Sequence, residues 1–119
     1  MYRVAVIGNI DLFEKRIAIF NETWEAASST HVTSEPIMPK PSFTNLFPQA
    51  SFLFGPEVEQ YMKELGSNMV KLATIRQSTK ANSSVVPADR ISEQLELENW
   101  ISNAAIKGIR EKFSPYLNF

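Results

Sequence analysis

Large apolar side chains recur along the first quarter of the chain at alternating steps of four and three residues. This spacing predicts one helix from about Tyr2 to Ser28 with a single apolar face. Gly8 costs about 1 kcal/mol inside a helix, so a short strand at residues 3–7 followed by a turn is the alternative. The unbroken spacing across Ile10 favours the helix. The apolar positions are Val6, Ile10, Phe13, Ile17, Phe20, Trp24 and Ala27.

Prolines interrupt this pattern in the next part of the chain. Five of the seven prolines lie between residues 36 and 56. Because proline has no N–H donor and restricts the residue before it, residues 29–41 are predicted to form an extended connection. Four phenylalanines follow within twelve residues. One or two short helical turns, begun by Ser42 as the cap, would bury them.

Two more helical patterns complete the chain. A second helix is predicted from about Pro56 to residue 78 or 80, and a third from Asp89, as its cap, to about Lys112. Ser114-Pro115 should end the third helix, so that Tyr116, Leu117 and Phe119 fold back onto the bundle. The sequence therefore predicts a single all-α domain over residues 1–119. Its architecture would be an antiparallel bundle of three long helices plus a short Phe-rich helical segment.

Composition excludes several classes of function. The chain has 119 residues and a formal net charge of −1, so it lacks the basic footprint of a typical nucleic-acid-binding domain. It has no cysteine, which removes disulfides, thiolate metal sites and cysteine nucleophiles. The apolar run near the N-terminus is too short for a signal peptide or a membrane span, so a cytoplasmic location is expected.

Candidate catalytic and metal-binding groups are sparse. Residues 3–9 resemble the first strand of a nucleotide-binding unit, but they contain one glycine where a phosphate cradle needs several. Glu22 with Glu25, and Glu93 with Glu96, have the helical spacing of di-metal ligands but lack the usual histidine. His31, the only histidine, is interpreted as an exposed loop residue. We therefore expect no catalytic residue, no cofactor and no metal, and a protein that is not an enzyme.

The aromatic residues suggest contacts with other chains instead, because aromatic side chains concentrate at interface hot spots. The leading hypothesis is a non-catalytic interaction or scaffold module that self-associates as a homo-oligomer, and a different protein partner is also possible. The residues predicted to form the interface are Phe13, Ile17, Phe20, Trp24, Phe43, Phe47, Phe52 and Phe54.

A basic cluster supports a second hypothesis. Lys71, Arg76, Lys80 and Arg90 would meet at one end of the bundle if the second and third helices run antiparallel. This end could bind an anionic partner, either a nucleic acid or an acidic protein. Nucleic acid is the less favoured partner because the sequence has no helix-turn-helix spacing.

Several short segments resemble a group of uncharacterised bacterial helical-domain proteins. The segments are Phe52-Leu53-Phe54-Gly55, Tyr61-Met62-Lys63-Glu64-Leu65, Trp100, and Phe113-Ser114-Pro115-Tyr116-Leu117, and the similar positions span residues 16–117. The resemblance implies a bacterial helical domain; the group has no known activity, so it implies no catalytic residues to carry over.

Overall fold

The computed structural model describes residues 2–81, 86 and 88–117, with the backbone alone for residues 2–10. These residues are all-α and contain no strand. The helices are α1 (Tyr2–His31), α2 (Pro41–Thr44), α3 (Phe47–Leu53), α4 (Pro56–Ala81), α5 (Ile91–Asn103) and α6 (Ile109–Leu117). A 3-10 turn (Ala88–Arg90) precedes α5, and a π-helical segment (Ala104–Gly108) joins α5 to α6. The all-α prediction is confirmed, and the strand at residues 3–7 is wrong.

The buried face of α1 lies about a quarter turn away from the apolar stripe seen in the sequence. Phe13 and Trp24, both in that stripe, are each 48% exposed. Thr23 and Thr30 are buried because each hydroxyl donates to a backbone carbonyl one turn earlier, at 2.8 and 2.9 Å, which leaves the methyl groups free to pack. The buried side chains of this face are Ile19, Thr23, Ala27 and Thr30.

Residues 32–55 run back along the bundle in place of a fourth long helix. At one end, Arg76 of α4 donates to the backbone oxygens of Thr30 and Glu35. At the other end, Arg16 of α1 donates through Nε to the oxygen of Leu53 at 2.8 Å. The α1 and α4 helices are therefore parallel to each other. The predicted extended connection is present but begins later, because α1 continues to His31.

The α5 helix, the π segment and α6 together form one continuous helical rod, which we call the rod. It runs antiparallel to both α1 and α4 and completes the core. Phe113 contacts Phe20 and Phe54 edge-to-face, with ring centroids 5.6 and 4.9 Å apart. Further along the rod, Trp100 stacks against Tyr61 of α4 at 5.5 Å. The core is thus shared by α1, α4, the rod and the Phe-rich segment. The prediction of a fully antiparallel bundle is wrong for α1 and α4, which are parallel because residues 32–55 run back along the bundle between them.

Three predicted helix boundaries are wrong. Pro41, with its preset φ, is the first residue of α2, so Lys40 rather than Ser42 is the N-cap residue. Asp89 lies within the 3-10 turn, and Arg90 precedes α5. Pro115 does not end the last helix, because burial of Phe113 and Leu117 on either side of it offsets the lost backbone hydrogen bond.

Tyr116 and Leu117 therefore do not fold back as a separate tail but continue α6. The α6 helix carries Tyr116 onto the ring of Phe54, 5.3 Å between centroids, and carries Leu117 into the core. Phe119 lies outside the described residues. Gly55, with a φ of 108°, occupies the left-handed region between α3 and α4, and its N–H donates to carbonyls of the last turn of α3.

Candidate interaction surface and polar pocket

An apolar surface, which we call the Trp24 face, lies along the edge of α1 that adjoins the π segment. It consists of Phe13, Ile17, Phe20, Trp24 and, from the π segment, Ile106. Ile106 is 70% exposed, and Ile17 and Phe20 are half-buried. Exposed large apolar side chains that cluster rather than scatter are typical of contact surfaces.

The π segment determines how this face is built. Within it, the N–H of Ile109 donates to the carbonyl of Ala104 instead of that of Ala105, its partner in a regular α-helix. The Ala105 carbonyl instead accepts a hydrogen bond from Trp24 Nε1 at 3.1 Å. Trp24 therefore satisfies a backbone group that the π segment releases, while its ring stays half-exposed next to the segment that carries Ile106.

The π segment also keeps the apolar positions of the rod in phase. Ala104 and Ile109 are both buried although they are five residues apart, a step that an α-helix would place on different faces. On the side facing α4, Gly108 lies so close to Tyr61 that a Cβ atom there would be 2.5 Å from the phenol oxygen. This environment, mainly burial and then the charges of Glu64 and Glu111, raises the pKa of Tyr61 to about 12.

The exposed charges on α1 and on the rod differ in net sign. On α1 the exposed charged residues from position 11 to 25 are three carboxylates and one lysine: Asp11, Glu14, Glu25 and Lys15. On the rod from position 104 to 112 they are three cations and one carboxylate: Lys107, Arg110, Lys112 and Glu111. The exposed edge of α1 is therefore net acidic and that of the rod net basic, but Lys112 lies on the side facing α4, 5.7 Å from the Tyr61 ring centroid.

The predicted interface residues outside the Trp24 face have very different environments. Phe43 and Phe54 are buried inside this chain, 1% and 5% exposed, so they present no surface in this conformation. Phe47 is half-buried and packs edge-to-face on Phe43 at 5.2 Å. Phe52, in contrast, is 94% exposed.

The predicted anion-binding residues do not form one open patch. Arg76 is buried, and Lys80 is paired with the carboxylate of Glu35. Lys71 is exposed but lies about 140° around the helix from Arg76. Arg90 is exposed in the 3-10 turn.

A polar pocket lies where the C-terminal end of α1 meets α4 and α5. Its volume is about 280 Å³. Leu72 and Ile101 form an apolar wall, and the polar lining includes Arg76, Glu98 and Ser102. The remaining lining residues are Thr30, His31, Val32, Thr33 and Ser34.

Arg76 is the unusual member of this pocket. Its Nη1 donates to the oxygens of Thr30 and Glu35, at 3.3 and 3.1 Å, but its buried Nε has no hydrogen-bond partner. A buried donor without an acceptor costs about 1–3 kcal/mol. Burial lowers the pKa of Arg76, and the nearby carboxylate of Glu98 partly opposes this shift.

Two further side-chain contacts shape the pocket. His31, at the end of α1, shares a 2.7 Å hydrogen bond through Nδ1 with the hydroxyl of Ser102. Glu98 accepts a hydrogen bond at Oε1 from Gln94 at 2.8 Å. Sequence analysis missed this grouping because His31 and Ser102 are 71 residues apart and no motif connects them. In the sequence, His31 and Ser102 are recognisable only as polar residues that interrupt the apolar pattern of a helix. Such residues also occur on ordinary solvent-exposed helix faces.

Metal and membrane features were also considered. Within the described ranges, no group of three or more His, Asp or Glu side chains is arranged to hold a metal ion. No helix in that same part of the chain combines the length and apolarity that a membrane span requires.

Comparison with known proteins gave no match: no family model, no curated protein and no solved structure is similar to this chain. The resemblance to bacterial helical-domain proteins stays a prediction.

Proposed function

We propose that this protein is a non-catalytic helical interaction module that self-associates through the Trp24 face. The observation that carries the proposal is the exposure of three large apolar side chains, Phe13 and Trp24 on α1 and Ile106 next to the Ala105 carbonyl that Trp24 bonds, at 48%, 48% and 70%. Large exposed aromatic and aliphatic side chains that adjoin one another are typical of protein contacts.

Charge favours a second copy of the chain as the occupant. The acidic edge belongs to α1 and the basic edge to the rod, the two elements that contribute residues to the Trp24 face. A two-fold axis parallel to the helices would place α1 of each copy against the rod of the other. Each acidic edge would then face a basic edge, which gives a self-complementary, closed interface.

This arrangement would create a four-helix contact around the axis. Because α1 and the rod are antiparallel within one copy, each α1 would also be antiparallel to the rod that it meets in the partner copy. Dimer interfaces usually have apolar side chains at the centre and charged residues at the edges.

The test is the molar mass in solution of an Ile106→Asp variant. Ile106 is 70% exposed, so the monomer should fold, whereas a carboxylate in the centre of the interface should weaken dimerisation by about 100-fold or more. Sedimentation velocity over a range of protein concentrations measures the change. Leu95→Asp is the matched control, since Leu95 is 56% exposed on the same rod but lies outside the Trp24 face.

Two results would contradict the proposal. One is a wild-type protein that sediments as a monomer at all micromolar concentrations. The other is an Ile106→Asp variant that keeps the wild-type mass. The proposed axis is tested separately by Lys107→Glu with Arg110→Glu, which should weaken the dimer, and by adding Glu14→Lys with Glu25→Lys, which should restore it.

A further inference from the structure

Two cavities adjoin the ring of Tyr61, where α4 packs against the rod. One has a volume of about 550 Å³ and is bordered by the first turns of α4, and the other has a volume of about 270 Å³ and is bordered by the rod. Tyr61 and Lys112 line both cavities. The two aromatic rings here are half-buried and the polar lining residues are exposed, so a ligand can reach this surface. The first cavity also contains Glu57 and Glu64, and the second contains Trp100 and Glu111.

The Tyr61 ring already attracts a positive charge from this chain. Nζ of Lys112 lies over the ring, 5.7 Å from its centroid. Cation–π attraction extends to about 6 Å, so this contact is loose. Within the described residues Lys112 forms no ion pair, although Glu111 precedes it in the sequence. The exposed side chain of Lys112 can therefore give up this position to another cation.

The surroundings of the ring favour a cation over an anion or a neutral ligand. Trp100 extends the aromatic surface, with its ring 5.5 Å from that of Tyr61 at an angle of 36°, and tryptophan gives the strongest cation–π attraction. The two cavities contain three carboxylates, those of Glu57, Glu64 and Glu111, and one ammonium group, so the lining is net negative. The charges of Glu64 and Glu111 already act on the Tyr61 phenol, because both contribute to its raised pKa.

We propose that this surface binds a small quaternary ammonium compound of the choline type. The methylated cation replaces the Lys112 ammonium group over the ring of Tyr61, next to Trp100. It lies toward Glu64 and Glu111 and away from the N-terminal end of α4, whose dipole repels positive charge. A primary ammonium suits the site less well, because it is strongly hydrated and the rings offer no acceptor for its N–H groups. A carboxylate on the ligand would be repelled by the carboxylates of the lining.

The experiment follows the two tryptophan indole N–H signals of the full chain by NMR at constant ionic strength. Trp24→Phe assigns them, because the chain has two tryptophans. Choline should shift the Trp100 signal saturably and leave the Trp24 signal in place. Its uncharged analogue of the same shape, 3,3-dimethylbutan-1-ol, should bind about tenfold or more weakly, because the cation–π attraction is lost. Trimethylglycine, which adds a carboxylate to the same cation, should also bind more weakly than choline.

Substitutions test whether the ligand takes the position of the lysine. Lys112→Met removes the competing ammonium group and keeps an apolar stem, so choline should bind about threefold or more tightly. Lys71→Met is the matched control, because Lys71 is an exposed cation on α4 that lines neither cavity, and its charge is screened at that distance. Glu111→Gln should weaken choline binding about threefold, whereas Glu93→Gln, an exposed carboxylate of α5 outside both cavities, should leave it unchanged.

Three results would overturn the proposal. The first is the absence of a saturable shift of the Trp100 signal at about 100 mM choline, well above a millimolar dissociation constant. The second is equal binding of choline and 3,3-dimethylbutan-1-ol, which would mean that the surface recognises apolar shape alone. The third is equal affinity of Lys112→Met and Lys71→Met for choline, which would mean that the ligand does not take the place of Lys112. None of these outcomes depends on dimerisation, because the Trp24 signal reports separately on the Trp24 face.

Discussion

The π segment and the polar pocket are both places where the regular hydrogen bonding of the bundle fails, but the two failures are resolved differently. In the π segment, the released carbonyl of Ala105 is bonded by Trp24 Nε1 at 3.1 Å. In the pocket, Arg76 Nε is buried and unpaired. In the π segment, the released carbonyl finds its hydrogen-bond donor within the same chain, so packing alone explains this irregularity. The second is incomplete, because this Nε has less than 1 Å² exposed and no acceptor reaches it, which costs stability.

Removing the Arg76 side chain should produce the largest change in stability. Arg76→Ala removes the donor to the backbone oxygens of Thr30 and Glu35 and leaves a cavity beside Leu72. We expect the free energy of unfolding to fall by about 3 kcal/mol, measured by urea denaturation. Lys71→Ala, an exposed cation on the same helix, is the control and should change it by less than about 0.5 kcal/mol. Equal effects of the two substitutions would mean that Arg76 does not anchor residues 32–55.

Adding one methyl group to the π segment should have a somewhat smaller effect. In Gly108→Ala the new Cβ atom would be 2.5 Å from the Tyr61 phenol oxygen, so either the ring or the helix must move. Overpacking of this kind costs about 2 kcal/mol. Tyr61→Phe removes the clashing oxygen, so the double variant should recover most of the loss in a double-mutant cycle. If the effects of the two substitutions on stability are additive, the close contact between the π segment and α4 is not the reason that position 108 requires glycine.

The smallest expected effect is a dependence of stability on pH in the alkaline range. Burial raises the pKa of Tyr61 from 10.0 to about 12 in the folded protein. Between these values the unfolded chain has lost the phenol proton and the folded chain still holds it, so stability falls as the pH rises. Well below pH 10.0 both states keep the phenol proton and this contribution is constant.

Denaturation of the Tyr61→Phe variant provides the comparison for this pH effect. Its stability should fall less steeply than that of the wild-type protein over the same interval. If stability falls equally steeply with pH in Tyr61→Phe and in the wild-type protein, folding does not raise the pKa of the Tyr61 phenol.

The sequence predicted the number, type and approximate limits of the long helices, because their apolar spacing is regular. It misplaced the buried face of α1, since Thr23 and Thr30 look polar in the sequence but satisfy their hydroxyls within the helix. It also ended the last helix too early, because the local effect of Pro115 is overridden by the burial of Phe113 and Leu117. In both cases tertiary packing decides what local preference cannot.

The two candidate sites were unequally accessible to sequence analysis. The α1 residues of the Trp24 face were found because aromatic residues at helical spacing are a local signal, whereas Ile106 depends on how the rod packs beside α1. The polar pocket was missed because Arg76 looked like a surface cation among Lys71 and Lys80. Only the return of residues 32–55 past its side chain buries it.

The parallel orientation of α1 and α4 sets a lower limit on the length of the chain between them. From Arg16 to His31 the two helices overlap by about 22 Å, which an extended chain crosses in about seven residues. The 24 residues from 32 to 55 exceed that minimum more than threefold. A deletion within this link that leaves at least the minimum length still allows the two helices to be parallel. A shorter link would force α4 to reverse its direction and become an ordinary hairpin partner of α1.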